Sequence, residues 1–165
     1  MATKTNAVRL VQQAGIPCRE AFYEFDEQDL SGVHAAQAIG MPEEQVFKTL
    51  VARGEKTGIN VFCIPVCCEL DLKKAAKAAG DKNMELVAVK ELLGLTGYIR
   101  GGCSPVGMKK HYPTFIDETC TLWDEIAVSA GARGHQMIVP PQPLAELVGA
   151  ELGLTDAESV AAKRG

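Results

Sequence analysis

The residues best suited to chemistry lie in one segment, residues 100–110, which reads Arg-Gly-Gly-Cys-Ser-Pro-Val-Gly-Met-Lys-Lys and is called here the glycine loop. Its three glycines allow positive φ angles and a close approach of the backbone to a ligand. Pro105 stiffens the turn, and the remaining N–H groups can converge on an anion or a developing oxyanion. Lys109 and Lys110 add positive charge. A plain surface loop is the alternative interpretation.

A nucleotide phosphate loop is excluded by the residues at two key positions. Gly102 and Gly107 have the spacing of the first two glycines of G-x-x-x-x-G-K-[ST]. Met108, however, stands where that motif requires a lysine. Lys110 stands where the hydroxyl that holds magnesium is needed.

Two further segments contain polar residues among apolar or small ones. Residues 46–53 read Val-Phe-Lys-Thr-Leu-Val-Ala-Arg, a strand pattern with Lys48 among apolar neighbours. Such a lysine is costly to bury unless it is paired or bound to an anion. A strand lysine whose charged end reaches solvent would satisfy the same pattern. Residues 128–134 read Val-Ser-Ala-Gly-Ala-Arg-Gly and predict a hairpin turn.

Phe-Lys-Thr-Leu, Gly-Gly-x-Ser-Pro-x-Gly-x-Lys-Lys and Ser-x-Gly-x-Arg-Gly follow one another in the chain. In this order and spacing they resemble the YbaK family of aminoacyl-tRNA deacylases, which are related to the editing domain of bacterial prolyl-tRNA synthetase. The resemblance runs from about residue 5 to residue 147. It implies a single domain over residues 1–165 with a mixed α/β fold, in which helices surround a curled, partly barrel-like mixed β-sheet. It also implies an enzyme that needs no metal and no organic cofactor.

The resemblance makes Lys48 the essential residue, with the expected role of holding the terminal phosphate or ribose of the substrate. We predict that Gly101 and Gly102 donate to the ester oxyanion, because backbone donors need an unshielded approach. The predicted substrate-binding residues are Tyr23, Thr49, Cys103, Ser104, Pro105, Ser129, Gly131 and Arg133. The predicted tRNA contacts are Lys73, Lys74, Lys77, Lys109 and Lys110.

Several of these residues also have ordinary structural interpretations. Lys73, Lys74 and Lys77 fit a solvated helix face. Ser104 has no histidine or acid spaced to activate it, so a role in shaping the turn is favoured over that of a nucleophile. Cys103 departs from the family pattern, which commonly has an aliphatic residue there, and it brings a thiol close to the predicted pocket.

Composition and charge narrow the class of protein. The chain has 165 residues, of which 47% are hydrophobic and 23% are charged, and this is typical of one globular domain. The net charge of −4 argues against sequence-blind coating of nucleic acid. The sequence shows no apolar run of 18 residues and no hydrophobic leader, so we expect a cytoplasmic protein. The six cysteines form no C-x-x-C pair and the three histidines lack ligand spacing, so we expect no metal site.

The predicted elements place these motifs as follows. Helices are predicted over residues 6–14, 31–38, 72–79 and 90–95, with a final helix from Pro143 through 147 and a helical turn from Pro42. Strands are predicted over residues 18–25, 45–53, 59–66, 85–88, 114–117, 126–130 and 136–139. The glycine loop connects the fourth helix to the strand at residue 114. Residues 155–165 are expected to form a frayed tail.

The family resemblance therefore predicts a trans-editing deacylase that acts on Cys-tRNA(Pro), with aminoacyl-tRNA as substrate and prolyl-tRNA synthetase as a possible partner. In this branch of the family the substrate's own thiol is implied to attack the ester. The alternatives are an Ala-tRNA(Pro) deacylase and a non-catalytic module that binds tRNA or the synthetase.

Overall fold

The computed structural model describes residues 4–152 and 161–163. Its α-helices have eight residues each: α1 (Asn6–Gln13), α2 (Gly32–Ile39), α3 (Leu72–Ala79), α4 (Val89–Thr96) and α5 (Pro141–Val148). Short 3₁₀ helices cover Glu43–Gln45 and Glu118–Leu122. No helix within the described ranges is long and apolar enough to cross a membrane.

The strands are β1 (Arg19–Phe22), β2 (Phe47–Gly54), β3 (Gly58–Pro65), β4 (Cys68–Leu70), β5 (Met84–Leu86), β6 (Thr114–Ile116), β7 (Ile126–Ala132), β8 (His135–Val139), β9 (Glu151–Leu152) and β10 (Ala161–Lys163). A five-stranded sheet has the order β5-β2-β3-β6-β9, a three-stranded sheet has the order β1-β8-β7, and β10 pairs with β4. The larger sheet is mixed, because β3 and β9 run parallel to β6 and the other pairs are antiparallel. This confirms the predicted mixed α/β class, although the described strands do not close into a barrel.

Among the described residues, a parallel bridge between Val46 and Ala127 links the two larger sheets. One face of β7 and β8 packs with α1 and α5 into the largest core cluster, which includes Val8, Met137 and Leu144. The other face packs against α2. The sheet formed by β2 and β3 packs against α3 through small alanines.

Capping residues begin and end several helices at the predicted positions. The Asp71 carboxylate accepts hydrogen bonds from Lys73 N and Lys74 N, and Gly80 ends α3 in the left-handed conformation at φ 73°. The hydroxyl of Ser31 caps α2, and Gly40 ends it in the same way. The hairpin of β2 and β3 was also predicted.

Other boundaries differ from the predictions. The final helix begins at Pro141 rather than at Pro143, because Pro140 is extended and a proline at the first helical position loses no hydrogen bond. It ends at Gly149, which is left-handed. The strand predicted over residues 18–25 is limited to β1, after which only Tyr23 N still donates to Gly134 O.

Three short strands were not predicted: β4, β9 and β10. Of the predicted frayed tail, residues 155–160 and 164–165 lie outside the described residues, whereas Ala161–Lys163 forms a strand that pairs with β4. These pairings join residues far apart in the chain, so no local sequence pattern indicates them.

Candidate functional site

Lys48 lies on β2 and is half-buried. Side chains alternate along a strand, so its neighbours point to the opposite side. Phe47 is in the largest core cluster, and the Thr49 hydroxyl lies 3.7 Å from the Cys63 sulfur in the same cluster. Lys48 instead shares its face with Val46, which packs with Ala127 on the α2 side. The predicted pair of Lys48 and Thr49 is therefore divided between two faces of the strand.

The bridge between Val46 and Ala127 determines what lies beside Lys48. Two residues further along these parallel strands stand Lys48 and Ser129, which consequently point to the same side. Ser129 is paired directly with Gln136 on β8, and both are buried. We call Lys48, Ser129 and Gln136 the Lys48 cluster.

Two buried polar atoms on this side have no hydrogen-bond partner among the described residues. They are the amide oxygen of Gln136 and the Nε2 atom of His34 on α2. The ring of His34 meets the ring of Tyr23 edge-on, with centroids 6.3 Å apart. A buried polar atom without a partner costs free energy, and such atoms are rare in folded proteins. We therefore expect them to contact a ligand.

The tip of the glycine loop borders the same side of the protein. Gly101 has φ 87°, and a Cβ added there would lie 3.3 Å from the side chain of Leu30, directly before α2. A Cβ on Gly102 would lie 3.1 Å from the backbone of Ala132 and Arg133, so any side chain would force the loop away from the turn between β7 and β8. The positive φ of Gly101 and the close backbone packing at Gly102 explain why glycine occupies the two positions.

Arg133 also holds the loop through a hydrogen bond. Its Nε donates a hydrogen bond of 2.8 Å to Arg100 O. Tyr98 adds a second link, because its hydroxyl donates to Val106 O and its ring lies against Gly131, where a Cβ would be 3.0 Å away. The second and third sequence motifs are thus joined by direct contacts.

The two predicted oxyanion donors are not equivalent. Gly102 N already donates to Ile99 O at 3.0 Å, which closes the turn. No atom of the described residues accepts a hydrogen bond from Gly101 N. Gly101 is therefore the better placed of the two to bind a ligand.

The next three residues of the loop turn away from Lys48. Cys103 is buried against Val51 and Val61, on the opposite side of β2. Ser104 is fully buried, and its hydroxyl accepts a hydrogen bond from Val106 N, which fits the predicted turn-shaping role. Pro105 lines a separate cavity. The structure does not bring these predicted substrate-binding residues to the Lys48 cluster.

Ser129 and Gly131 form a local turn within the third motif. The Ser129 hydroxyl accepts a hydrogen bond from Gly131 N at 3.1 Å, and Gly131 has φ 100°. Ser129 also belongs to the Lys48 cluster. Gly131 and Arg133 instead support the glycine loop, as their contacts show.

The predicted tRNA-binding lysines divide into two groups. Lys73, Lys74 and Lys77 lie on α3, which packs against β2 and β3. Lys109 and Lys110 are exposed at the end of the glycine loop. In the described ranges, no group of three or more His, Cys, Asp or Glu residues is placed to hold a metal ion.

Sequence reasoning missed His34 and Gln136 as site residues. His34 was considered only as a metal ligand, and Gln136 only as the start of a strand. The available signal was a glutamine paired with Ser129 of the third motif. That pairing can be recognised only when the register of the hairpin is known.

Comparisons with known proteins found related sequences and a related fold. A family model described as the aminoacyl-tRNA editing domain matches residues 30–147. The protein "Putative Cys-tRNA(Pro)/Cys-tRNA(Cys) deacylase EbsC" of Enterococcus faecalis is 46% identical over 144 residues, covering 87% of this chain and 88% of that protein. "Uncharacterized protein YwhH" of Bacillus subtilis is 24% identical over 123 residues, covering 74% of this chain and 78% of that protein.

A solved structure described as "a putative trans-editing enzyme for prolyl tRNA synthetase" has a TM-score of 0.75 and 28% identity to this chain. The alignment covers 99% of this chain and 100% of that one. The similarity therefore extends over the strands and helices that surround the Lys48 cluster as well as over the three motifs.

Proposed function

Because the chain belongs to the aminoacyl-tRNA editing domain family, we propose that it is a trans-editing deacylase that removes mischarged cysteine from Cys-tRNA(Pro). The observation that carries the proposal for the site is the Lys48 cluster beside Gly101. A half-buried cation, a buried amide oxygen and a backbone N–H without an acceptor among the described residues lie on one side of the protein. An aminoacyl ester of tRNA carries the groups that complement them: a phosphate, an α-ammonium and an ester oxygen.

We assign the roles as follows. Lys48 binds the terminal phosphate or ribose oxygens, and Gly101 N–H donates to the ester oxygen as negative charge develops there. The Gln136 amide oxygen accepts a hydrogen bond from the α-ammonium group of the substrate. Gly102, Gly131 and Arg133 position the loop, and Tyr23 and His34 border the amino acid.

The attacking group is the thiol of the esterified cysteine. Its sulfur forms a bond to the ester carbon, and the bond from that carbon to the ribose oxygen breaks. The ribose oxygen takes the electron pair and the thiol proton, so that free tRNA leaves. The amino acid departs as a cyclic thiolactone, which water opens. The protein contributes orientation and stabilisation of the oxyanion.

The proposed partner is tRNA(Pro) in the cytoplasm. We expect free tRNA to bind weakly and in a salt-dependent manner, because the net charge of the chain is −4. We propose that prolyl-tRNA synthetase contributes part of the binding free energy when both proteins bind the same tRNA.

A panel of charged tRNAs tests the function. Cysteinyl-, alanyl- and prolyl-tRNA(Pro) are incubated with the protein, and the release of amino acid is followed by acid precipitation. We expect cysteinyl-tRNA(Pro) to be cleaved at least about 100-fold faster than alanyl-tRNA(Pro), because the alanine side chain has no nucleophile. Faster cleavage of alanyl-tRNA(Pro) would instead identify an alanine deacylase. Absence of any cleavage would identify a non-catalytic module.

The role of Gln136 makes a separate prediction. We expect Gln136→Leu to lower kcat/KM on cysteinyl-tRNA(Pro) by about ten-fold or more, because a hydrogen bond to a charged group is lost. The melting temperature should stay unchanged or rise, because the substitution also removes a buried oxygen that has no partner in the described residues.

A chemical control isolates that contact. 3-Mercaptopropionyl-tRNA(Pro) keeps the thiol and the ester but has no amino nitrogen to donate, so the variant and the wild-type protein should cleave it at equal rates. If the variant were equally impaired on both substrates, the amide oxygen would not be the ammonium acceptor.

A further inference from the structure

A cavity of about 280 Å³ is lined by the second half of the glycine loop, and Gly101 is not among its lining residues. It is open to solvent on one side, and the rest of its wall comes from α1, the glycine loop, the segment leading into β6 and the end of α5. The residues that define its character are Leu10, Val106, Lys110, His111, Tyr112 and Val148. No residue of the Lys48 cluster contributes to it.

The lining of this cavity has two distinct parts. Leu10, Val106 and Val148 provide apolar surface, and Val106 is 2% exposed. Lys110 and His111 are exposed at the cavity, which has no carboxylate among its lining residues. Tyr112 is held in place because its hydroxyl donates to Leu95 O at 2.7 Å.

This combination fits one class of ligand. A fixed aromatic ring and apolar surface suit a flat base, and cations suit the phosphate attached to it, as in proteins that bind single-stranded nucleic acid. The volume lies just below the usual range for ligand sites, which is roughly 300–1,000 Å³. It is therefore suited to one nucleobase rather than to a helix of a partner protein.

The glycine loop connects this cavity directly to the proposed active site. Gly101 borders the Lys48 side, and Pro105 lines the cavity. These residues are four positions apart, so their Cα atoms are separated by at most about 15 Å. An unpaired RNA strand with its esterified end at Gly101 can therefore reach the cavity with a nucleotide that precedes the end.

We propose that this cavity binds a nucleobase of the unpaired acceptor strand, upstream of the esterified nucleotide, with Lys110 facing its phosphate. The inference rests on the proposed deacylase function. The second half of the glycine loop, which does not reach the Lys48 cluster, then has the role of binding RNA. The glycine loop then contacts a base of the RNA with its second half and the ester with Gly101.

The test compares two substrates of different length. Cysteinyl-tRNA(Pro) contains the upstream nucleotides, whereas the cysteinyl ester of adenosine does not. Leu147→Glu places a carboxylate at the cavity, on a side chain that is already 37% exposed. Leu122→Glu makes the same change in charge at a side chain that is 78% exposed and outside the cavity.

We expect Leu147→Glu to lower kcat/KM on the tRNA by at least about ten-fold, because contact with one base is lost. Cleavage of the adenosine ester should be unchanged, and Leu122→Glu should affect neither substrate. Lys110→Gln should reproduce the selective loss, with Lys56→Gln in the β2–β3 turn as its control. Equal effects of Leu147→Glu on both substrates, or no effect on either, would overturn the inference.

A binding measurement provides a second readout that does not depend on turnover. The uncharged tetranucleotide ACCA is titrated by calorimetry, and its Kd should rise about ten-fold or more with Leu147→Glu but not with Leu122→Glu. Unchanged Kd values for all variants would also refute the inference. If the wild-type protein cleaved neither ester, the proposed function would fail and the inference with it.

Discussion

Replacing Lys48 by alanine is expected to lower the deacylation rate by roughly 10²–10³-fold, the loss typical of removing one group that stabilises a transition state. The bridge between Val46 and Ala127 puts Lys48 on the same side as Ser129 and Gln136. Its side chain is half-buried, so its interaction with a phosphate is screened less than that of an exposed lysine. The measurement is turnover of cysteinyl-tRNA(Pro) by the purified variant.

The melting temperature separates this role from a structural one. Lys48 is only half-buried, so we expect a shift below about 4 °C, equivalent to roughly 1 kcal/mol for a chain of this size. Lys48→Arg, which keeps the charge, should retain part of the activity. Lys56→Ala, an exposed lysine in the β2–β3 turn, should retain all of it. Full activity of Lys48→Ala would remove the residue from the site, and a large drop in melting temperature would make it structural.

Seryl-tRNA is expected to be cleaved about 100-fold more slowly than cysteinyl-tRNA, or slower still, the order of magnitude that one catalytic group contributes. The hydroxyl of serine is a weaker nucleophile than the thiol of cysteine, and the protein's own thiols are poorly suited to replace it. Burial raises the pKa of Cys63 to about 12 and the pKa values of Cys68, Cys103 and Cys120 to about 11. Burial also raises the pKa of Cys18. These groups are protonated at neutral pH and are poor nucleophiles.

Single Cys→Ser substitutions therefore should leave turnover largely intact. Cys103→Ser is the most informative of them, because this thiol lies in the glycine loop but packs on the opposite side of β2 from Lys48. Its melting temperature is measured alongside, since a buried thiol is replaced by a hydroxyl. Trapping of a covalent cysteinyl-enzyme at Cys103, or similar rates on seryl- and cysteinyl-tRNA, would exclude attack by the substrate's thiol.

Much of the local structure could be predicted because its causes are local. Asp71 and Gly80 bound α3 as predicted, since a capping carboxylate and a left-handed glycine act on adjacent backbone groups. The hairpin of β2 and β3 follows from two apolar runs separated by a short turn. The strands β4, β9 and β10 could not be predicted in this way, because their partners are distant in sequence.

The order of the three motifs was sufficient to identify the family and to indicate Lys48 and the glycine loop. It could not show which loop residues reach the site. Gly102 N is used to close a turn, and Cys103 enters the core, because the loop crosses from one side of β2 to the other. Gly101 alone of the two predicted donors keeps an N–H without an acceptor in the described structure.

The sequence by itself determined the fold class, the family and the residue types available for chemistry, since these depend on composition, periodicity and motif order. Tertiary structure decided which of those residues meet. Side chains alternate along a strand, so the sequence indicates which residues share one face of the strand. Which residues of another sheet lie against that face depends on how the sheets pack. Among the described residues, the bridge between Val46 and Ala127 places Ser129 and the buried Gln136 on the side of β2 that carries Lys48, and no sequence pattern within either strand specifies that placement.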